Sequence, residues 1–303
     1  MNFKPSPFSM AVLAAILAGV LNMFSKDLLN AGMGSIEICF CREGVTALVF
    51  FLILLVVDRS AFKVRLRDIW LFILFGAFNV ISNVCVFTAQ QSLPLEVAAV
   101  LEMTSPYFML VFAYFLFGDK VTMRKLVAVM MAFIGCIFII GLVNGVERVD
   151  VFGIAVGLMS GMTLAAFTIG GKVVGDRGYS ENTAMFYFFL FSALIISPLT
   201  NFGQIWSVAT SDWILPICII LMGVACTLAP NYLVIYSVRR MDPATVSIVI
   251  TSSLIVSTLL GVLVFGDPFS WTDVVGIILV MTAIIILEPP KSLLDRFSKG
   301  ENG

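Results

Sequence analysis

Three charged side chains lie inside long apolar stretches, where they are the residues best placed to do chemistry. Arg42 and Glu43 are neighbours in one stretch, and Glu102 lies in another. A charge in hydrocarbon costs at least about 2.5–3.5 kcal/mol on insertion scales, so such residues normally face a polar cavity or a partner. We predict that Arg42 pairs with Glu102 or faces the same cavity, and that Glu102 or Glu43 binds a ligand or a proton. The alternative is a structural ion pair that only locks two helices together.

Neutral polar side chains at helical spacing extend this candidate site. Asn79 and Asn83 are four residues apart, hence on one helix face, and Thr227 and Asn231 repeat that spacing 148 residues later. Matching polar positions in two halves predict a cavity between the halves. Buried Asn and Thr can equally serve as hydrogen bonds between helices, worth about 0.6–2 kcal/mol. Further candidates for the site are Asn22, Tyr187, Tyr232 and Ser253.

Several kinds of chemistry are not predicted. The chain has no His, and its six Cys all lie in apolar stretches without a C-x-x-C pair, so we predict no metal site and no disulfide. Gly171-Lys172 is followed by Val173, and no Walker-type nucleotide loop occurs in the sequence. The net charge of −1 gives no indication of nucleic-acid binding. We predict no catalytic residue, no cofactor and no nucleic-acid partner.

The elements that must position these residues are transmembrane helices. Apolar residues make up 60% of the 303 positions and charged residues only 12%, which a soluble fold cannot accommodate because its surface faces water. Crossing ~30 Å of hydrocarbon takes about 20 helical residues. We predict an all-α integral membrane protein of ten transmembrane helices. We call the ten apolar segments runs 1 to 10. They lie at about 8–29, 35–57, 68–90, 95–117, 123–143, 151–174, 182–202, 213–238, 243–265 and 271–288.

The basic residues between the runs indicate an orientation. With the N-terminus in the cytoplasm, the inner loops and termini hold fifteen Lys and Arg residues and the outer loops hold two. Cytoplasmic loops of membrane proteins carry such an excess of Lys and Arg. We therefore predict a multi-pass protein of the plasma or inner membrane with both termini in the cytoplasm.

The two halves of the chain resemble each other. An offset of 148 residues places Phe117-Gly118-Asp119 on Phe265-Gly266-Asp267, whereas Lys120 falls on a proline and Arg239 falls on a glutamine. Basic loops that change sides are what an inverted repeat requires, and a repeat of five helices must be inverted because five is odd. Inverted repeats are common in secondary transporters. The predicted division is a first repeat at 1–145, a second at 146–290 and a cytoplasmic tail at 291–303.

The order of several features identifies a family resemblance. The features are Arg42 early in run 2, Pro94 with Ala98-Ala99, Pro106 in run 4, Phe117-Gly118-Asp119, Pro243-Ala244 and Phe265-Gly266-Asp267. In this order they resemble the EamA-type members of the drug/metabolite transporter superfamily over nearly the whole chain. The chain departs from that pattern at Asp119 and Asp267, where Glu is more common. It also departs at Glu43, where an apolar residue is usual, and at Leu254, which replaces a second proline.

The resemblance implies a ten-helix carrier that works by alternating access. Runs 1–4 and 6–9 would line its central cavity, with runs 5 and 10 at the periphery. The predicted function is secondary active transport of a small organic metabolite, such as an amino acid, and export is favoured by the resemblance alone. The predicted partners are this substrate, a coupling proton and the lipid bilayer. The alternative is an integral-membrane enzyme such as a lipid-linked group transferase, against which the short loops and the lack of His argue.

Overall fold

The computed structural model describes residues 6–93, 95–139, 150–260, 262–263 and 270–287, without the side chains at 21–27, 29–30, 90–92 and 95–97. The described residues are helical and contain no strand. The helices are α1 (Pro7–Asn30), α2 (Ser35–Val57), α3 (Ile69–Ser92), α4 (Leu95–Glu102), α5 (Ser105–Phe117), α6 (Met123–Ile139), α7 (Val151–Asp176), α8 (Glu181–Ile196), α9 (Phe202–Ala209), α10 (Ile214–Gly223), α11 (Ala229–Val238), α12 (Pro243–Thr251), α13 (Ser253–Leu260) and α14 (Trp271–Leu287). Pro94, the side chain of Asn22, the turn at 265–267, the predicted boundary at 145/146 and the tail at 291–303 lie outside the described residues.

Seven helical segments are long and apolar enough to cross a membrane. They are Ser35–Val57, Leu66–Ala89, Ala98–Phe117, Val151–Asp176, Glu181–Leu199, Ile214–Val238 and Pro243–Leu260. Shorter apolar helices at Pro7–Val20 and Trp271–Leu287 coincide with runs 1 and 10, and α6 overlaps run 5. Large apolar side chains such as Val56 and Phe115 are 87% and 77% exposed, which suits lipid rather than water. The prediction of an all-helical protein with helices able to cross a membrane is confirmed.

Run 4 is divided into two helices. α4 ends at Glu102 and α5 begins at Ser105; Thr104 between them has φ −74° and ψ −7°. The Thr104 N–H donates to the carbonyl of Leu101, three residues earlier, at 3.1 Å. Pro106 follows at once, and a proline removes a helical hydrogen bond and crowds the carbonyl four residues before it. Glu102 therefore lies at a helix end in the middle of run 4.

Run 9 has the same break without a proline. α12 ends at Thr251 and α13 begins at Ser253; Ser252 has φ −65° and ψ −10°, and its N–H donates to the Val249 carbonyl at 3.0 Å. Ser252 lies 148 residues after Thr104, and each hydroxyl donates to the carbonyl three residues earlier at 2.6 Å. Such side-chain bonds compete with helix hydrogen bonds. Run 9 remains one candidate membrane span, Pro243–Leu260, but Leu254 in place of a proline gave no sign of the break at Ser252.

Small residues bring α6 and α14 into close contact. A Cβ atom at Gly135 would lie 2.8 Å from the Gly276 carbonyl oxygen, and one at Gly276 would lie 2.5 Å from the Gly135 carbonyl oxygen. The 148-residue offset relates Gly276 to Ala128 and Gly135 to Ala283, and both alanines are fully buried. The two helices therefore cross at equivalent small positions, as close packing of membrane helices requires.

Polar contacts join the two halves of the chain at one end of the molecule. We call this end the basic face (residues 58–68, 118–125, 172–182 and 239–242). Its ion pairs are Lys125 Nζ–Asp242 Oδ1 (2.6 Å), Lys172 Nζ–Asp119 Oδ2 (3.6 Å) and Arg177 Nη1–Asp68 Oδ1 (3.0 Å). The Asp58 carboxylate accepts hydrogen bonds from Ser60 and Asn182, which hold its pKa below its ordinary value. These contacts tie the two halves of the chain together at the basic face.

Candidate functional site

A cavity of about 200 Å³ is lined by residues of α1, α2, α3, α4, α5, α7, α8, α11 and α12. Seven of the eleven predicted site residues line it: Arg42, Glu43, Asn79, Asn83, Glu102, Thr227 and Asn231. Much of the remaining wall is apolar and includes Ala14, Ala18, Leu164, Phe167, Val234 and Ile250. The cavity therefore offers charged and amide groups alongside a largely apolar surface.

Arg42 and Glu43 form the charged centre of the cavity. Arg42 Nη2 lies 3.1 Å from Glu43 Oε1 and donates a second hydrogen bond to Asn83 Oδ1 at 2.8 Å. The Glu43 side chain is 1% exposed and that of Arg42 is 19% exposed. Arg42 Nε and Glu43 Oε2 are buried without a hydrogen-bond partner among the described residues. A buried polar group normally has a partner, so a free donor and a free acceptor at one cavity suit a ligand.

Glu102 lines the same cavity as Arg42, which is one of the two arrangements predicted from the sequence. The ionic partner of Arg42 is Glu43, and among the described residues no hydrogen bond or salt bridge reaches the Glu102 carboxylate. Because the helix breaks before Pro106, Glu102 is the last residue of α4. The site thus combines the Arg42 cation with two carboxylates. Glu43 is paired with Arg42, and Glu102 lines the cavity.

Asn79 and Asn83 have different roles although they share one face of α3. Asn83 accepts from Arg42 and donates its own amide N–H to the Asn79 carbonyl at 2.9 Å. Asn79 donates through Nδ2 to Ser192 Oγ on α8 at 3.1 Å, and Ser192 donates to the Gly76 carbonyl. Asn79 is therefore also a link between α3 and α8, as the alternative interpretation of these amides holds.

The second half of the chain presents a matching pair. Asn231 Nδ2 donates to the Thr227 carbonyl at 2.9 Å, the same bond that Asn83 makes 148 residues earlier. Thr227 Oγ1 donates to the Met222 carbonyl, five residues earlier, because residues 224–228 form a π turn. π turns inside helices occur frequently at functional sites. Asn231 and Thr227 both line the cavity, as Asn83 and Asn79 do.

Four predicted residues are not part of the described cavity wall. Tyr187 donates its hydroxyl to the Phe62 carbonyl at 3.0 Å and so holds the loop after α2. Tyr232 packs edge-on against Phe50. Ser253 starts α13, away from the cavity lining, and nothing is described of the Asn22 side chain.

Several cavity residues were absent from the predicted set. They are Ser82, Ser105, Thr168, Cys226, Ser247, Thr251, Phe167 and Phe189, among others. Ser82 and Thr168 donate to the carbonyls of Ser160 and Leu164. Because such hydroxyls bond backbone in many buried settings, their sequence positions alone do not separate cavity wall from core. Phe167 and Phe189 carry no signal that distinguishes them from the other 25 phenylalanines.

Comparison with models of known protein families identifies the family of this chain. A sequence model described as "EamA-like transporter family" matches residues 6–141 and again residues 151–288. The chain belongs to the EamA-like transporter family. The family resemblance predicted from Arg42, the paired Phe-Gly-Asp turns and the prolines is confirmed, and with it a multi-pass membrane protein whose relatives are transporters.

Individual relatives of this EamA-like protein are distant. The pseudopaline exporter CntI of Pseudomonas aeruginosa strain UCBPP-PA14 is 23% identical over 207 residues, which cover 68% of this chain and 67% of that protein. An uncharacterized transporter of Archaeoglobus fulgidus is 24% identical over 275 residues, or 91% and 93% of the two chains. A protein crystal structure superposes with a TM-score of 0.77 at 14% identity, covering 93% of this chain and 96% of that one. The superposition shows the shared fold.

Family membership also indicates what kind of molecule the protein binds. EamA-like proteins are transporters, so the partner of the chain is a small molecule. A cavity of ~150 Å³ holds a benzene-sized ligand, and the volume here is about 200 Å³. The cavity therefore has the size for a small metabolite.

Proposed function

We propose that this protein is a secondary active transporter that moves a small organic metabolite, an amino acid or a similar compound, out of the cell by alternating access. The observation that carries the proposal is the cavity lined by Arg42, Glu43 and Glu102, beside which Arg42 Nε and Glu43 Oε2 are buried without a hydrogen-bond partner among the described residues. A carboxylate on the substrate would accept from Arg42, and an amine would donate to Glu43 or Glu102. The apolar wall would receive the rest of the molecule.

The proposed architecture is ten membrane helices in two inverted repeats of five, at 1–145 and 146–290, with a tail at 291–303. Two separate matches to the family model support it. The matched breaks at Thr104 and Ser252 support it further, as do the matched amide bonds of Asn83 and Asn231. Random similarity between halves would not reproduce hydrogen bonds at one fixed offset. The cavity would then lie at the interface between repeats, where transporter sites are found.

The orientation is tested by cysteine accessibility. Both the 59–67 segment and Arg240 lie on the basic face, which we place in the cytoplasm together with both termini of a cell-membrane protein. We expect Ser60→Cys and Arg240→Cys to react with a membrane-impermeant maleimide only after the cells are opened. The six native cysteines are all buried and serve as the unlabelled background. Labelling of the two positions from opposite sides of the membrane would contradict the inverted repeat.

Transport itself is tested by uptake into proteoliposomes. The screen covers amino acids, amines and nucleosides, each with and without a pH gradient. We expect at least one of these to accumulate unchanged, dependent on the protein. Recovery of a chemically altered product instead of the added compound would favour an enzyme.

The proposed coupling residue is Glu102. With the Arg42 charge balanced by Glu43, a proton on Glu102 would neutralise the empty site, and a substrate amine would replace that proton. We expect Glu102→Gln to abolish the response of uptake to a pH gradient. Glu37→Gln is a matched control, since Glu37 is also a buried carboxylate of the first half but accepts from the Asn201 N–H and does not line the cavity. Wild-type pH dependence in Glu102→Gln would exclude the coupling role.

A further inference from the structure

A shallow pocket on the basic face lies apart from the cavity. The loop after α2 forms one side of it and the turn between α7 and α8 forms the other, so both halves of the chain contribute. Its wall includes the cations Lys63, Arg65 and Arg177, together with Gly178 and Tyr179. No carboxylate of the described residues is in this wall. Converging cations on a concave surface are suited to a phosphate group.

Hydrogen bonds fix the shape of this pocket. Tyr179 donates its hydroxyl to Asp68 Oδ2 at 2.6 Å and accepts from the Arg65 N–H at 3.3 Å. Burial and the bond to Asp68 raise the pKa of Tyr179, so its phenol stays protonated and remains a donor. Arg177 donates to the other oxygen of Asp68 at 3.0 Å. The two sides of the pocket are therefore held together without help from a ligand.

The positive charge of the pocket is only partly neutralised. Asp68 pairs with Arg177, whereas Lys63 and Arg65 form no salt bridge with a described residue and are exposed. The pocket and Asp68 together carry a net of two positive charges. The usual excess of cations in cytoplasmic loops explains their number but not their convergence from two loops. Arg59 and Arg67, from the same segment, lie outside the pocket wall.

The pocket borders a surface with large exposed apolar side chains. Leu66 is 88% exposed and Trp70, at the start of α3, is 53% exposed. The Arg177 guanidinium lies 6.0 Å from the centre of the Trp70 ring. Tryptophan is typical of the boundary between headgroups and hydrocarbon. A molecule with a phosphate in the pocket could thus extend acyl chains along α3 without leaving the bilayer.

We propose that Lys63, Arg65 and Arg177 bind the phosphate group of an anionic phospholipid such as phosphatidylglycerol, whose acyl chains pass over Leu66 and Trp70. Basic pockets between membrane helices on the cytoplasmic side bind the headgroups of anionic lipids in this way. The site does not involve the central cavity, so it holds whatever the transported substrate is. A soluble phosphate compound would satisfy the same cations but would gain nothing from Leu66 or Trp70.

The test measures lipid affinity by native mass spectrometry of the purified chain titrated with phosphatidylglycerol or phosphatidylcholine. We expect Lys63→Gln/Arg65→Gln to weaken phosphatidylglycerol binding about tenfold or more. The matched control is Arg59→Gln/Arg67→Gln, which removes the same charge from the same segment outside the pocket and should bind as the wild type does. All four side chains are exposed, so both variants should fold, and their unfolding temperatures verify this.

Each alternative outcome is decisive. Equal weakening in both double variants would mean that net charge alone attracts lipid and would overturn the pocket. Equal affinity for phosphatidylcholine in the wild type would overturn recognition of an anionic lipid. Displacement of phosphatidylglycerol by equimolar soluble glycerol phosphate would assign the pocket to a free phosphate compound and overturn the lipid proposal. Selective loss in Lys63→Gln/Arg65→Gln, with no such displacement, supports it.

Discussion

Substitution of Arg42 by Gln will abolish uptake and also destabilise the protein. Glu43 is 1% exposed and its salt-bridge partner is Arg42. Removal of one member of a buried ion pair leaves the other charge uncompensated, at a cost of about 3–5 kcal/mol. We therefore expect a large fall in the unfolding temperature of Arg42→Gln in detergent, measured beside substrate uptake in proteoliposomes.

The double variant Arg42→Gln/Glu43→Gln separates stability from function. Replacement of both charges by neutral groups often costs little, because no lone charge stays buried. We expect most of the lost stability to return in the double variant while uptake stays at background. If uptake returned together with stability, neither charge would be needed for transport, and the proposed substrate contact with Arg42 would be wrong.

The charged residues of the cavity could be identified from sequence because a charge in an apolar stretch is costly wherever the stretch lies. That argument needs no knowledge of packing, and it placed Arg42, Glu43 and Glu102 at one cavity. The partner of Arg42 was not predictable in the same way. Adjacent residues on an ideal helix point in different directions, so the 3.1 Å contact with Glu43 depends on how the long side chains bend.

Other differences between prediction and structure arise from hydrogen bonds that the sequence pattern does not reveal. Tyr187 has an amphipathic side chain that suits a cavity, but its hydroxyl reaches the Phe62 carbonyl, 125 residues away. The break at Ser252 lacks a proline, and the 2.6 Å bond from its hydroxyl to Val249 has no signature that separates it from the other serines of run 9. The length of the apolar runs therefore located the helices, but their interruptions followed from local hydrogen bonds.

The ion pair between Lys172 and Asp119 allows the proposed transport cycle to be stopped at one step. Lys172 Nζ lies 3.6 Å from Asp119 Oδ2 and 4.0 Å from the centre of the Phe117 ring. Asp119 belongs to the first half of the chain and Lys172 to the second, and both lie on the basic face. If the protein works by alternating access, this contact must separate each time the cavity opens to the cytoplasm.

A short thiol-reactive cross-link between Asp119→Cys and Lys172→Cys will therefore reduce uptake to background. The covalent bridge prevents the separation, whereas loss of a partly exposed ion pair alone costs only about 0–1 kcal/mol. We expect the uncross-linked double variant and each single variant treated with the reagent to retain uptake. Because the six native cysteines are buried, intact mass can verify that one bridge has formed. Full uptake by protein shown to be cross-linked would mean that the basic face does not open, and alternating access through this cavity would have to be abandoned.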